Sequence, residues 1–266
     1  PYMEASLKNA KRDLFSWESN QKLSSFDLLG FSLGSELNYT NVLNILDLAG
    51  LPLESSLRNQ EYPLVIGGGP CTLNPEPMHE FFDLFIIGEA EEAIVELVNL
   101  YRKYKDDYKA TRLTKEDLLI KLSRIQGVYV PSLYTPDYDA AGELVDFSPR
   151  FAGLPLKIKK RIVSDFEMAY FPCHWMVPNV STIHDRITLE IMRGCPNRCR
   201  FCQARSQYYP VRIRSKEKIL SLAKLTYASS GYEELSLAGL SVGDYPGIET
   251  LVGALTHSFS QQAVNL

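Results

Sequence analysis

The feature that most constrains this chain is a set of three closely spaced cysteines. Cys195, Cys199 and Cys202 follow the pattern C-x3-C-x2-C, and no fourth cysteine lies near them. Thiolates hold iron–sulfur clusters, and a [4Fe–4S] cluster has four irons. Three cysteines would leave one iron without a protein ligand, and a metal with an open coordination position is reactive, as in catalytic zinc sites. The spacing therefore predicts chemistry at this loop.

The residues leave two other interpretations of the three cysteines open. One is a structural zinc site, for which Cys173 or His174 could supply the fourth ligand that zinc usually takes. The other is a set of thiols without a metal. Cys71, which follows a glycine-proline turn, is expected to be a small buried residue rather than a ligand. The cluster is the favoured interpretation.

Composition excludes several classes of protein. The chain has 266 residues, is 45% hydrophobic and carries a net charge of −4, which is typical of a globular protein and offers no global basic field for nucleic acid. No apolar run reaches the roughly 18 residues of a membrane span. Five cysteines, three of them clustered, do not resemble a secreted disulfide framework. A cytoplasmic protein without a membrane partner is expected.

Two local basic stretches stand out against this acidic background. The stretch at 157–161 is expected to be solvated surface. The arginines between 193 and 214 surround the cysteines, where cations could offset the negative charge of a cluster or hold a carboxylate. The second stretch therefore belongs to the predicted site.

The first part of the chain alternates apolar runs with amphipathic stretches, which predicts a parallel sheet of doubly wound type. The predicted strands and helices lie at 26–33, 38–51, 64–66, 84–89 and 91–105. Ligands of such sheets bind at the carboxyl ends of the strands, where Gly67, Gly68 and Gly69 follow one strand and Gly88 and Glu89 end another. A tight strand-to-helix turn explains the three glycines nearly as well as ligand contact does.

A connecting segment is expected at 111–185, with a helix at 115–124 and a hairpin formed by 127–134 and 142–147. A second alternation then begins. It comprises a strand that leads into the cysteine loop, a helix capped by Ser215, a further strand and helix, and a short final strand. The ranges are 186–192, 215–229, 234–239, 245–259 and 263–266. Two strand–helix units are too few to close a barrel.

The order of a strand, the cysteine motif with Phe201 before its last cysteine, and a helix resembles the radical S-adenosylmethionine (SAM) superfamily. The resemblance implies a [4Fe–4S] cluster on the three cysteines, with SAM bound at the open iron and cleaved reductively to a 5′-deoxyadenosyl radical. It implies SAM contacts from Phe201, Gly239 and Ser241, a partial (β/α)6 barrel, and an electron donor such as flavodoxin or ferredoxin.

Upstream motifs extend the resemblance to a bacterial group of uncharacterised radical SAM proteins that carry an N-terminal cobalamin-binding-type domain. These motifs are Asp27–Ser32, Asn38–Asn41, Val65–Pro70 and Ile87–Glu92. The implied α/β architecture is a Rossmann-like domain at 1–110 and the start of a truncated radical SAM barrel at 186–266. The implied cobalamin contacts are Gly67, Gly68, Gly69, Gly88 and Glu89. The D-x-H-x-x-G motif, whose histidine ligates cobalt, is absent from the sequence.

The function implied is that of a radical SAM enzyme whose substrate is a small molecule, a protein or RNA, with cobalamin-dependent methyl transfer as one form. Two alternatives remain. The arginines at 193–214 suggest an RNA-modifying enzyme of methylthiotransferase type. A non-catalytic module that binds a corrinoid or a protein partner is the other.

Overall fold

The computed structural model describes residues 2–10, 12–180, 182–262 and 264–266. They form two compact units, the first ending at Ile162 and the second beginning at Val163. This division differs from the predicted one, because the stretch from 111 to 162 belongs to the first unit instead of forming a separate connector.

The first unit is built on one four-stranded sheet. Its strands are β1 (Leu28–Ser32), β2 (Leu64–Gly68), β3 (Leu84–Ile86) and β4 (Val128–Tyr129). They lie in the order β1-β2-β3-β4, and the first three are parallel while β4 is antiparallel to β3. Its helices are α1 (Tyr2–Ala10), α2 (Tyr39–Leu48), α3 (Ala93–Lys109) and α4 (Lys115–Leu122).

The sheet confirms the predicted α/β class in its coarse form. Within the described residues the strand order follows the sequence without reversal, so no topological switch point appears. Only short 3-10 turns, Pro70–Leu73 and Glu76–Met78, join β2 to β3 where a doubly wound fold has a helix. The Rossmann-like arrangement therefore stays a prediction.

Burial explains how α3 packs. Its buried side chains are Ala93, Leu97, Tyr101 and Tyr108, which recur at helical spacing along one face. Ile94 lies outside this face and is exposed.

A hairpin forms in the predicted region, but its first strand is a later segment of the chain than the predicted one. Its strands are β5 (Tyr134–Tyr138) and β6 (Leu144–Pro149). The predicted first strand contained Val128 and Tyr129, but these two buried residues instead pair with Ile86 and Phe85 at the edge of the sheet. Burial in the sheet outweighs a local pairing with the more exposed hairpin.

A buried ionic group joins β2, β3 and α4. Asp83 is fully buried, and its Oδ2 accepts bonds from Arg58 Nη2 at 3.1 Å and from the Val65 N–H at 2.7 Å. Lys115 Nζ lies 2.5 Å from Asp83 Oδ1. Arg58 also donates to the carbonyls of Pro52, Leu53 and Phe81. Both partners of the Arg58–Asp83 pair thus have further contacts besides each other, although Arg58 Nε is buried without a hydrogen-bond partner among the described residues.

Three buried tyrosines predict a loss of stability at alkaline pH. Burial, and next to it the Asp83 carboxylate, raises the pKa of Tyr108 to about 12. Burial also raises the pKa of Tyr101 and of Tyr129, whose hydroxyl donates to Glu76 Oε1 at 2.6 Å.

Because the unfolded chain ionises first, these groups stabilise the folded unit fully below their ordinary pKa of about 10. That stabilisation falls as the pH rises from about 10 towards 12. A titration of tyrosinate absorbance beside unfolding curves at each pH checks this. Simple titration of every tyrosine near its ordinary pKa would contradict it.

The second unit contains a parallel strand pair, β7 (Ile187–Glu190) and β10 (Leu235–Ala238). β8 (Met192–Arg193) pairs antiparallel with β9 (Arg212–Ile213). The helices are α5 (Ala204–Tyr208), α6 (Lys216–Ser230) and α7 (Ile248–Ser258). The predicted cap of α6 is confirmed, since Ser215 Oγ accepts from the Lys218 N–H at 3.1 Å.

The core of this unit lies between the strand pair and its helices. Ile219, Leu222 and Ala223 of α6 are buried against Ile187 and Leu189 of β7. Thr226 is buried on the same face, whereas Leu225 is exposed. None of the helices described in this chain is long and apolar enough to cross a bilayer.

Candidate functional site

The cysteine loop leaves the end of β8 through a glycine that no other residue could replace without strain. Gly194 has φ +86°, and a Cβ there would lie 2.8 Å from the Pro210 carbonyl oxygen and 2.9 Å from that of Tyr208. Cys195 follows at once, and the loop continues to α5. The close approach of 208–211 therefore fixes where the first cysteine leaves the strand.

The three cysteines lie on this one loop as free thiols. Cys195 and Cys202 are half-buried and Cys199 is exposed, and none forms a disulfide. The Cys202 N–H donates to the Cys199 carbonyl at 3.2 Å, so the last two share a turn. Across the described ranges, no three His, Cys, Asp or Glu side chains lie where they could share a single metal ion.

This donor set fits an iron–sulfur cluster by its chemistry. In a [4Fe–4S] cluster each thiolate binds its own iron, so the sulfurs need not converge on one point as the ligands of a single ion must. The thiols are unbonded to each other, and none of the three cysteines is fully buried. The loop could supply three ligands and leave one iron open.

An aspartate that the sequence did not single out links the cysteine loop to the end of β10. Asp244 Oδ2 accepts from Asn197 Nδ2 at 2.6 Å and from Ser241 Oγ at 2.7 Å. Asn197 lies between the first two cysteines. Asp244 therefore brings the cysteine motif and the predicted SAM-binding residue Ser241 together.

Gly239 has a packing role in the same region. A Cβ at this position would lie 2.7 Å from Met192 Cγ, so the absence of a side chain lets β10 end beside the strand that begins the cysteine loop. Its predicted SAM contact stays a prediction, as does that of Ser241.

Loss of the Asp244 carboxylate is expected to loosen the cysteine loop. Asp244→Ala removes the acceptor of both bonds, so reconstituted iron should be lost faster from this variant under a chelator. Asp244→Asn keeps an amide oxygen as acceptor and should restore retention. Glu249→Gln, on the exposed face of α7, is the matched control. Equal rates of iron loss in all four proteins would contradict this role for Asp244.

Much of the arginine-rich stretch is used inside the unit. Arg193 forms two 2.8 Å bonds with the Glu190 carboxylate. The guanidinium carbons of Arg193, Arg212 and Arg214 lie 5.0, 5.7 and 4.5 Å from the centre of the Phe166 ring. These cation–π contacts and the pairing to Glu190 indicate that the three arginines stabilise the packing of this unit. They do not support an RNA surface.

Arg214 is the buried centre of this group. Its Nη1 donates to the Phe166 carbonyl at 2.9 Å and its Nε to the Glu190 carbonyl at 3.2 Å. The Glu167 carboxylate accepts from the Ser215 N–H at 2.8 Å. The segment that contains Phe166 and Glu167 is thereby also bound to the start of α6. Sequence reasoning missed Phe166 and Glu167, because they lie in a proline-rich stretch without periodicity.

Phe201 is not a core residue, since it is 91% exposed. Arg198 and Arg200 beside it are exposed as well. The structure therefore excludes packing as the reason for an aromatic residue here, while the predicted adenine contact stays a prediction.

Cys173 and Cys71 are not part of the cysteine loop, and Cys71 belongs to the first unit. The Cys173 carbonyl accepts a bond from Ser229 Oγ at the far end of α6, and its thiol packs on the second core. His174 is exposed beside it. In the first unit, burial and then the Glu36 carboxylate raise the pKa of the Cys71 thiol. Among the described residues, no metal-binding group of three or more side chains includes Cys173 or Cys71.

Chain packing accounts for most of the glycines predicted to contact cobalamin. A Cβ on Gly67 would lie 2.5 Å from a Phe85 ring carbon, and one on Gly69, at φ +96°, would lie 2.9 Å from the Leu33 carbonyl oxygen. At Gly88, a Cβ would collide with the Arg161 backbone.

Glu89 donates its N–H to the Arg161 carbonyl at 2.9 Å, so this strand end is covered by the chain itself. Gly68 alone has room, since the nearest atom to its Cβ position is 4.0 Å away. Whether any of the five residues contacts cobalamin stays a prediction.

Each unit matches a known sequence family. The family described as "Radical SAM proteins, N-terminal" matches residues 1–131, and "Radical SAM superfamily" matches residues 189–258. An uncharacterized protein of Methanocaldococcus jannaschii is 26% identical over 239 residues, which are 90% of this chain and 44% of that protein. The chain thus spans less than half the length of this relative.

Two solved structures are similar at low identity. Both are of the radical S-adenosylmethionine methyltransferase TsrM from Kitasatospora setae, one with tryptophan substrate and the SAM analog aza-SAM, the other with cobalamin and a [4Fe–4S] cluster. Each is 13% identical, covers 97% of this chain and 43% of TsrM, and has a TM-score of 0.49. A likeness of this degree supports no inference about chemistry.

Proposed function

Because this chain belongs to the radical SAM superfamily, whose family profiles match both of its units, we propose that it is a radical SAM enzyme. Cys195, Cys199 and Cys202 are its cluster ligands. The observation that carries this proposal is the loop itself, which presents three free thiols and no nearby fourth within a matched radical SAM region. An iron without a protein ligand leaves a coordination position where a small molecule could bind.

A [4Fe–4S] cluster on these cysteines would supply the electron for reductive cleavage of SAM to methionine and a 5′-deoxyadenosyl radical. The protein's own residues hold and shape the site. The three thiolates bind three irons, and Asp244 holds the loop against the end of β10 through Asn197. The Glu190–Arg193 pair and the arginines around Phe166 keep β8 and β9 in place beneath the loop. A small acidic electron carrier such as flavodoxin or ferredoxin is the proposed donor.

The proposal is tested on anaerobically purified and reconstituted protein. We expect about four irons per chain, the absorbance of a [4Fe–4S] cluster, and 5′-deoxyadenosine on addition of SAM and dithionite. Stoichiometric zinc without iron would contradict the assignment of the ligands. An intact cluster that neither binds nor cleaves SAM would favour the non-catalytic alternative.

Cobalamin-dependent methyl transfer is a narrower form of the proposal. Its support is the parallel arrangement of β1, β2 and β3, whose carboxyl ends share an edge where Gly68 leaves room for a ligand. Titration with hydroxocobalamin, followed by gel filtration, tests it. Co-elution of the corrinoid at one per chain supports this form, and complete separation removes it while leaving the cluster proposal intact.

A further inference from the structure

A cleft in the first unit lies beside the strand end that the sequence marked as a ligand edge. Its volume is about 400 Å³, which is towards the small end of the range for small-molecule sites. Its walls are the residues 123–128, which lead into and begin β4, together with 153–155 and 157–159. Val128 pairs with Ile86, the last residue of β3, so the cleft opens at the carboxyl edge of the parallel strands.

The backbone of the neighbouring strand end is already used by the chain. Arg161 accepts from Glu89 and donates to Ile87, and its side chain binds the carboxylates of Glu92 at 2.6 Å and Glu96 at 2.7 Å. Gly127 allows this packing, since a Cβ there would lie 2.9 Å from Arg161 Cβ. At this carboxyl edge of the sheet, the cleft next to Arg161 is therefore the part that remains accessible to a ligand.

Three cationic side chains line the cleft, and none of them is paired with a carboxylate that the structure describes. Arg124, Lys157 and Lys159 line it, and its lining contains no acidic residue among the residues described. In the described part of the chain these three side chains form no ion pair, whereas Lys105, Lys115 and Arg161 of the same unit all do. Unpaired cations that converge on one concave surface concentrate positive potential there.

The floor of the cleft is apolar. Ile125 and Val128 are buried beneath it, and Leu154 and Ile158 are half-buried in its wall. An inorganic anion alone would leave the apolar floor exposed to water. An organic molecule with an apolar group and a carboxylate or phosphate would cover the floor and also bind the cations. We propose that this cleft, which is formed by residues of the first unit, is a binding site for a small organic anion.

The test uses phenyl phosphate as the probe and the 266-residue chain as the protein. Isothermal titration should show saturable binding that weakens with added salt. The double variant Lys157→Gln/Lys159→Gln should bind about tenfold more weakly or worse, since each lost charged hydrogen bond is worth roughly that factor. The matched control is Lys103→Gln/Lys224→Gln, which removes the same charge elsewhere and should bind as the parent does.

Three results would overturn the proposal. They are equal affinity in the double variant and the control, equal affinity for benzyl alcohol, which has the ring without the charge, and equal affinity for inorganic phosphate, which has the charge without the ring. Binding of a short RNA alone, with no binding of phenyl phosphate, also counts against it. Binding should persist in Cys199→Ala, so its outcome is independent of the cluster chemistry.

Discussion

Cys199→Ala is expected to abolish the formation of 5′-deoxyadenosine from SAM and dithionite. The substitution leaves two thiolates on the loop, and two ligands cannot hold a cluster that needs three protein donors. Because Cys199 is exposed, the change removes no core packing and the fold should be retained. The product is measured by chromatography, and iron, sulfide and the electron paramagnetic resonance signal of the reduced cluster are measured on the same sample.

The matched controls are Cys173→Ala and Cys71→Ala. Cys173 packs on the second core near the end of α6, and Cys71 lies in the first unit, so both variants should keep their iron and their signal. Unchanged turnover in Cys199→Ala would refute the cluster assignment. Loss of iron in Cys173→Ala, with normal thermal unfolding, would instead revive the four-ligand metal site.

Asp83→Ala is expected to destabilise the first unit by about 3–5 kcal/mol, since it leaves the buried Arg58 without its carboxylate partner. Arg58 is 1% exposed at its side chain and Asp83 is fully buried. The Val65 N–H at the start of β2 also loses its acceptor. Urea unfolding followed by circular dichroism measures the change in the free energy of unfolding. Hydrogen exchange at Val65 reports it locally.

Asp107→Ala is the control for charge alone. Its partner Arg112 lies 2.7 Å away, but both side chains are more than half exposed, so solvent screens the pair and the cost should stay below about 1 kcal/mol. Similar losses in the two variants would show that burial does not decide the value of the Asp83 contacts.

Local signals predicted the parts of this chain that depend on neighbouring residues. Ser215 was identifiable as a helix cap because its hydroxyl bonds an N–H three residues away. The strand before the cysteines was identifiable because alternation is a local property. The hairpin register was not, since Val128 and Tyr129 join a sheet whose other strands lie more than 40 residues earlier in sequence.

The arginines at 193–214 show the same limit. Their pattern suggested exposed positive charge near a ligand, yet Arg193 is paired with Glu190 and Arg214 is buried against Phe166. Phe166 lies 48 residues from Arg214 along the chain. No local period connects two residues at that separation, so only the folded chain reveals that they meet.

The amino-acid sequence by itself determined which atoms can bind a metal, because the covalent chain fixes the order and spacing of Cys195, Cys199 and Cys202. Tertiary structure alone decided what holds those atoms in place. Asp244, which is 47 residues from Asn197, meets the cysteine loop only because β7 and β10 pair in parallel and bring their carboxyl ends to one edge. Ligand identity is local chemistry, whereas ligand placement depends on contacts between distant segments.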